Sequence, residues 1–511
     1  MEILKRAIES YREIGNECVS IKVENDCIVP DVKPDVAEIV LATSSITEIN
    51  ARPYTDRVVL SGQVAYRVIY GSEEGGYDSM CVPADFTTTI WVQGATSDST
   101  CLVKGATAGT ECRIINSRKV NIKTSVELCV EIIGSETLNV STKTQGQEEM
   151  ELATESVDVL EHGGNFHFTR DLAWTMEVPQ GGDIIQKILF FDISPRALET
   201  SLDYDRIMVS DVMELWVLYS GGEDSQLQVL TKQVAFDAQG DKRGITPGSN
   251  IRISTSLRSP YVQILNDQDG EPTVVEIGVS LSFDGVVGEV EKIEYIRDGY
   301  SRRQPLVARR SDIDCISGLW LTKEKMVFTE ELVMPDSQIG EVIGVWAHTD
   351  NLAVTSVDDE FSITGNGIFK VLYTEQGTKT LMGSCFTVPI SVTGELPGGS
   401  QICNVSGIVS NLSWNLQSPL RIGVKYEVTF ELSSCTRGNM CQVESFEPNP
   451  AGYPNNFSCG MLVYYPQKGE TPWDVASKYM VSVNELRELN GIDGDSLPDR
   501  IFLPGRSNAT M

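Results

Sequence analysis

Three apolar stretches that end in tyrosine constrain this chain more than any other feature: Val68-Ile69-Tyr70, Val217-Leu218-Tyr219 and Val371-Leu372-Tyr373. The tyrosines stand 149 and 154 positions apart. Each closes a β-like run, and each run follows a proline-marked segment. Pro30 precedes Tyr70 by 40 positions, Pro179 precedes Tyr219 by 40, and Pro335 precedes Tyr373 by 38. Two markers in one order at near-constant separation, three times over, predict three divergent copies of one domain. The period far exceeds that of a solenoid repeat, so each copy is expected to have its own core, with its tyrosine ring buried in it.

Around these markers the chain reads as strands. Val19, Ile21 and Val23 alternate, as do Val120, Ile122, Thr124, Val126, Leu128 and Val130 with Lys and Ser between them. One apolar and one wet face is the pattern of an antiparallel sheet or sandwich. The expected class is therefore mainly β: three tandem β-sandwich-like domains over residues 1–144, 156–296 and 313–445, then a small α+β unit over 461–506. Residues 1–17 differ. Ile3, Leu4, Ala7, Ile8, Tyr11 and Ile14 recur at helical spacing, which predicts an amphipathic helix without the apolar core of a signal peptide. Residues 145–155 read as a polar linker, and His162 and His167 flank Gly163-Gly164 in an expected turn. Asp267-x-Asp269-Gly270 has the flavour of a calcium loop, but the other ligands are missing and a hairpin turn is the better reading. In the third copy GELPGGSQIC matches GATAGTEC of the first, setting Cys403 against Cys112.

Net charge is −31 over 511 residues, which disfavours nucleic acid and anionic membrane as partners and fits solubility or a basic protein partner. No stretch of about 18 apolar residues is present, so no helical span is expected. Taken with the missing signal peptide, this places the chain in the compartment where it is made. Arg297, Arg302, Arg303, Arg309 and Arg310 crowd residues 297–310, either as a solvated linker or as a docking strip for acidic faces of neighbouring copies. Of the 12 cysteines, six fall between Cys18 and Cys129 and six between Cys315 and Cys459, with none in the middle copy. A framework required by the fold would recur in each copy. Without Cys-x-x-Cys or a nearby histidine, no metal site is expected, and the cysteines read as buried reduced thiols.

No catalytic constellation assembles. His162, His167 and His348 are the only histidines, and no phosphate-cradling loop, nucleophile elbow or HExxH is present. Asp358-Asp359 reads as a solvated strand edge. A non-enzymatic protein without cofactors is expected.

After residues 447–460, a proline- and asparagine-rich segment read as a linker that lets the rest move independently, residues 462–505 parse as strand, helix, helix, strand. Thr471, Pro472 and Asp474 predict a capped helix, and Ser482 with Glu485 a second capping box. Trp473, Ala476, Leu486 and Leu489 are expected to face inward, and Gly491 to end the second helix. Lys468-Gly469-Glu470-Thr471, Trp473, Ala476, Tyr479, Val481-Ser482-Val483, Leu486, Leu489-Asn490 and Leu503-Pro504 make this stretch resemble a LysM domain. The resemblance implies a glycan-binding groove between loops 469–472 and 490–492. Its partner- or glycan-binding residues would be Gly469, Glu470, Thr471, Pro472, Asn490, Gly491 and Ile492, with Glu470 and Ile492 exposed. Pro472 departs from the family's usual leucine and removes a backbone donor.

Upstream, PDVKPDVAEIV with GQVAYRVIY resembles the SPOCS domain. Three such copies before one LysM domain resemble the SipL-like spore-coat morphogenesis proteins. That resemblance implies a cytoplasmic protein of the mother cell at the forespore surface, in the spore coat. It would work with the spore-coat morphogenetic ATPase (SpoIVA-like) and other coat proteins. A peptidoglycan-binding protein of the spore envelope is the alternative.

Overall fold

The structure, a computed structural model, describes residues 2–146, 149–196, 198–222, 226–334, 338–357, 359–378, 380–396, 398–450 and 460–504. Pro335, Asp358, Cys459 and most of the 447–460 segment lie outside the described residues.

Six strands build the first copy: β1 (Glu2–Ile28), β2 (Val36–Tyr54), β3 (Arg57–Ser72), β4 (Tyr77–Trp91), β5 (Thr100–Asn116) and β6 (Lys119–Gln145). β2-β3-β4 form one antiparallel sheet and β1-β6-β5 another, packed over a common core. The second copy repeats the order with β7 (Met150–Glu177), β8 (Ile185–Pro195), β9 (Glu199–Asp203), β10 (Arg206–Gly221), β11 (Gln226–Asp241), β12 (Asn250–Leu265) and β13 (Val274–Ser301). Here β8 and β9 both pair with β10, together taking the place of β2. The third copy uses β14 (Leu306–Val333), β15 (Ile339–Val357), β16 (Glu360–Glu375), β17 (Leu381–Glu395), β18 (Ser400–Ser418) and β19 (Arg421–Pro448) in the order of the first. The expectation of three tandem sandwiches is met. Asp267 closes the β12–β13 hairpin as a turn residue, its carboxylate accepting from the backbone N–H of Asp269 and Glu271.

The tyrosine-ending strands are buried on both faces, which explains why three apolar residues run together there. In β3, Val64, Tyr66, Val68 and Tyr70 point into the sandwich core. Ile69, on the opposite face, enters a second cluster with Leu218 of β10 and Leu372 of β16. All three copies contribute to this junction, where Phe190, Trp216 and Trp346 pack edge to face with ring centroids 4.4–5.9 Å apart. Tyr70, Tyr219 and Tyr373 are at most 1% exposed. Each copy has its own core, as expected, and the copies also share one.

The long outer strands make a second shared contact. β1 and β6 pair from Glu2↔Gln145 to Ile28↔Lys119, β7 and β13 from Met150↔Ser301 to Glu177↔Val274, and β14 and β19 from Leu306↔Pro448 to Val333↔Arg421. The half of each ribbon beyond the sandwich forms an arm, and the three arms bundle. Ile8, Val140, Val159, Tyr295, Cys315 and Met440 meet on one side. Tyr11, Ile133, Leu160, Val286 and Ile316 meet on the other.

This corrects the N-terminal helix, because residues 2–28 are one strand. Ile8 and Ser10 face one arm cluster and Tyr11 the other. A strand covered on both sides loses its alternation, and Ile8, Tyr11 and Ile14 then mimic helical spacing. The segment between the first two copies and the Arg-rich stretch also belong largely to strands. β6 ends at Gln145 and β7 starts at Met150, while β13 runs to Ser301 and β14 starts at Leu306. Gly163 and Gly164 form a bulge rather than a turn, where His162 pairs with Gly288 and Asn165 with Val286. Cys112 pairs with Ile122 near the end of β5, whereas Cys403 sits near the start of β18, so the two are not equivalent.

Candidate functional site

The C-terminal module is a two-stranded sheet of β20 (Met461–Tyr464) and β21 (Ile501–Pro504) covered by α1 (Pro472–Tyr479) and α2 (Val483–Asn490). Thr471 caps α1. Its hydroxyl accepts from the Asp474 N–H at 3.2 Å, and its own N–H donates to the Asp474 carboxylate at 2.9 Å. Pro472 occupies the first turn, where a missing N–H costs nothing. α2 starts at Ser482 without the expected side-chain cap and ends at Gly491, whose φ of 60° suits glycine. Val475, Ala476, Leu486, Ile501 and Leu503 form the core. Leu489, expected inside, is 42% exposed. Trp473 is half-buried, packed against that core as expected and also against the preceding body.

Sequence reasoning missed that contact. The Tyr300 ring of β13 packs on Trp473 at 5.2 Å, and its hydroxyl donates to the Val481 carbonyl at 2.6 Å. The Trp473 indole N–H donates to Asp298 at 3.1 Å, and Arg302 lies 3.4 Å from Glu485. The module is seated on the end of the second copy's arm instead of moving freely. The Arg-rich stretch serves this seat. Arg302 and Arg303 pair with Glu149, Arg310 with Asp298 and Arg309 with Glu447. Of these pairs only Arg310–Asp298 joins one copy to another, so the docking-strip reading is met at that pair alone. Arg302, Asp298 and Tyr300 carry it to the C-terminal module as well, a target that reading did not include.

Loops 469–472 and 490–492 are close-knit. Glu470 accepts from the Tyr464 hydroxyl at 2.8 and 3.0 Å and from the Gln467 N–H at 2.8 Å, with Lys478 3.6 Å away. Burial alone would raise its pKa, but these donors and Lys478 hold it below the ordinary range. Asn490 donates to the Leu486 and Phe502 carbonyls at 2.9 and 2.7 Å and accepts from the Phe502 N–H at 2.6 Å. Ile492 is buried and Glu470 half-buried, so both depart from the exposed loop positions expected for them. Pro472 is buried as well. Gly469, with φ of 94°, and Gly491 remain exposed. The loops thus offer backbone more than side chain. Free side chain lies instead on one side of β20, where Met461, Val463 and Tyr465 alternate outward at 54, 46 and 68% exposure. That alternation is legible in the sequence.

Elsewhere, among the described residues, the three histidines stand apart from one another. Burial first and Lys370 second push His348 down to about 4. Burial lowers His162, and His167 pairs with Asp284 at 2.7 Å. The reading of the cysteines as buried reduced thiols needs amending. Cys18 and Cys129, opposite each other on β1 and β6, form a disulfide, and Cys81 and Cys385 are exposed. The disulfide has no counterpart in the other copies among the described residues. Glu13, Cys403 and Cys435 bring three potential metal ligands together, all within 4.8 Å of one another. Spacing arguments could not reveal this, because the three are far apart in sequence.

No helix of the described residues is long and apolar enough to cross a membrane. Residues 35–115 match the family described as SipL, SPOCS domain, and residues 467–498 match the LysM domain family. No curated protein and no solved structure matches the chain. The chain thus carries a sporulation-type SPOCS domain in its first copy and a glycan-binding type of module at its C-terminal end, both non-catalytic in kind.

Proposed function

We propose that this protein is a non-enzymatic assembly scaffold of the bacterial spore coat. In this reading the three-copy body holds the LysM module out to the coat morphogenetic ATPase (SpoIVA-like), and through it to other coat proteins, on the mother-cell side of the forespore surface. The carrying observation is the exposed strip Met461, Val463 and Tyr465, which runs into a loop whose polar side chains are already committed. A glycan is held by convergent polar groups, and Glu470, Thr471 and Asn490 have theirs engaged within the module. An exposed apolar strip suits a protein partner. The acidic body is a poor match for another polyanion.

Peptidoglycan binding in the spore envelope is the second reading. The LysM match favours it, and Tyr465 is an exposed ring on which a sugar could stack. The experiment sets both ligands against the same variants of the full chain, Val463→Asp and Tyr465→Ala. Wild type should capture the purified ATPase, and each variant should lose about 2 kcal/mol or more of that affinity while keeping its melting temperature. Wild type that sediments with peptidoglycan sacculi and ignores the ATPase would establish the second reading instead.

A further inference from the structure

Glu13, Cys403 and Cys435 lie where the first copy meets the third. Glu13 sits at the β-bulge of β1, between Glu13 and Gly15, and Cys403 at the bulge of β18, between Ile402 and Asn404. Bulges re-aim side chains out of the regular alternation, and both are aimed here at Cys435 of β19. The Cys403 thiol approaches the Glu13 carboxylate at 3.7 Å. Two thiols and a carboxylate within 4.8 Å approach the ligand spacing of a tetrahedral zinc site, about 3.3–3.8 Å between donors.

Two independent features mark the place as a site rather than a chance cluster. Asn16 donates to the Cys403 carbonyl, yet its own amide oxygen is enclosed without a partner. A bound cation or its water would satisfy that oxygen. The walls are apolar, with Leu102, Ile133 and Leu319 packed around Cys435, as a metal site needs if its ligands are to be held and shielded. Arg252 donates to the carbonyl of Ser434, the residue before Cys435, at 2.9 Å, which places one buried cation beside the ligand set.

We propose that Glu13, Cys403 and Cys435 bind a thiophilic divalent cation of the zinc class, which fastens the first copy to the third. The cation would join residues 390 and 422 positions apart and lock the arms in place. Binding displaces two thiol protons, so affinity rises with pH.

The test uses the full chain, reduced and stripped with a chelator, then titrated with Zn²⁺ and, as a spectroscopic probe, Co²⁺. Wild type should retain one equivalent more than the Cys403→Ser/Cys435→Ser double variant, show thiolate-to-cobalt charge-transfer absorption, and melt at higher temperature with zinc than without. Glu13→Gln keeps both thiols and the strands. It should weaken binding and alter the cobalt spectrum, and it serves if the double variant fails to fold. Equal metal content in wild type and double variant would overturn the proposal. So would an unchanged affinity and spectrum in Glu13→Gln, or a Cys403–Cys435 disulfide without metal in freshly isolated protein.

Discussion

Asn490 shows how little of the C-terminal module's side-chain polarity is left for a ligand. Its amide makes three hydrogen bonds, two of them to Phe502 of β21, and Asn490→Ala leaves the Phe502 N–H and carbonyl without that partner. The expected cost is about 2–3 kcal/mol, read as faster amide hydrogen exchange confined to residues 461–504 of the full chain. His348 makes a prediction in pH. Its Nε2 is enclosed without a partner, and its folded pKa of about 4 lies below the unfolded 6.5. The neutral ring is therefore favoured by folding. Its contribution is complete above pH 6.5 and is lost as pH falls through 4, a loss on the order of 3 kcal/mol at most. His348→Gln should flatten that part of the acid stability profile. Unchanged acid sensitivity would remove His348 from the account. At this scale the sequence was legible where a motif fixes geometry, as in the Thr471–Asp474 cap. It misled at Ile492, which packs into the module's own core, and at Leu489, which stays outside it.

Among elements, β1 is the instructive case. Its apolar spacing is ambiguous between helix and doubly covered strand, and only the partner β6 and the neighbouring arms decide. An isolated helix of that length would be marginal, whereas the strand is paired along its whole length. Deleting residues 2–13 should strip one arm of its partner and lower the melting temperature by several degrees. A spectrum and melting curve identical to wild type would contradict the strand assignment. The seat of the LysM module is likewise invisible in the sequence, since Tyr300 and Trp473 are 173 positions apart. Tyr300→Ala removes the ring contact and the bond to Val481. The module should then tumble independently, visible as narrowed NMR lines for residues 461–504 with their chemical-shift pattern kept. The LysM fold itself was readable, because its caps and core are local.

For the molecule as a whole, the tyrosine-ending motifs revealed the number of copies but not their closure. Ile69, Leu218 and Leu372 differ from their neighbours only in facing the shared junction, and no single-copy pattern distinguishes the two faces. A buried ionic contact adds to the closure. Arg252 of the second copy lies 3.5 Å from Glu131 of the first and donates to the Trp320 and Ser434 carbonyls of the third, at 3.0 and 2.9 Å. Removing one partner leaves a buried charge uncompensated, so Arg252→Leu should cost about 3–5 kcal/mol. The proposed scaffold role requires the three copies to behave as one body, and both junctions join all three. Calorimetry of the full chain measures this directly. One dominant transition is expected for residues 2–448, with a van't Hoff enthalpy close to the calorimetric value. Three resolved transitions, or a van't Hoff enthalpy near one third of the calorimetric one, would mean that the copies melt independently and would contradict it.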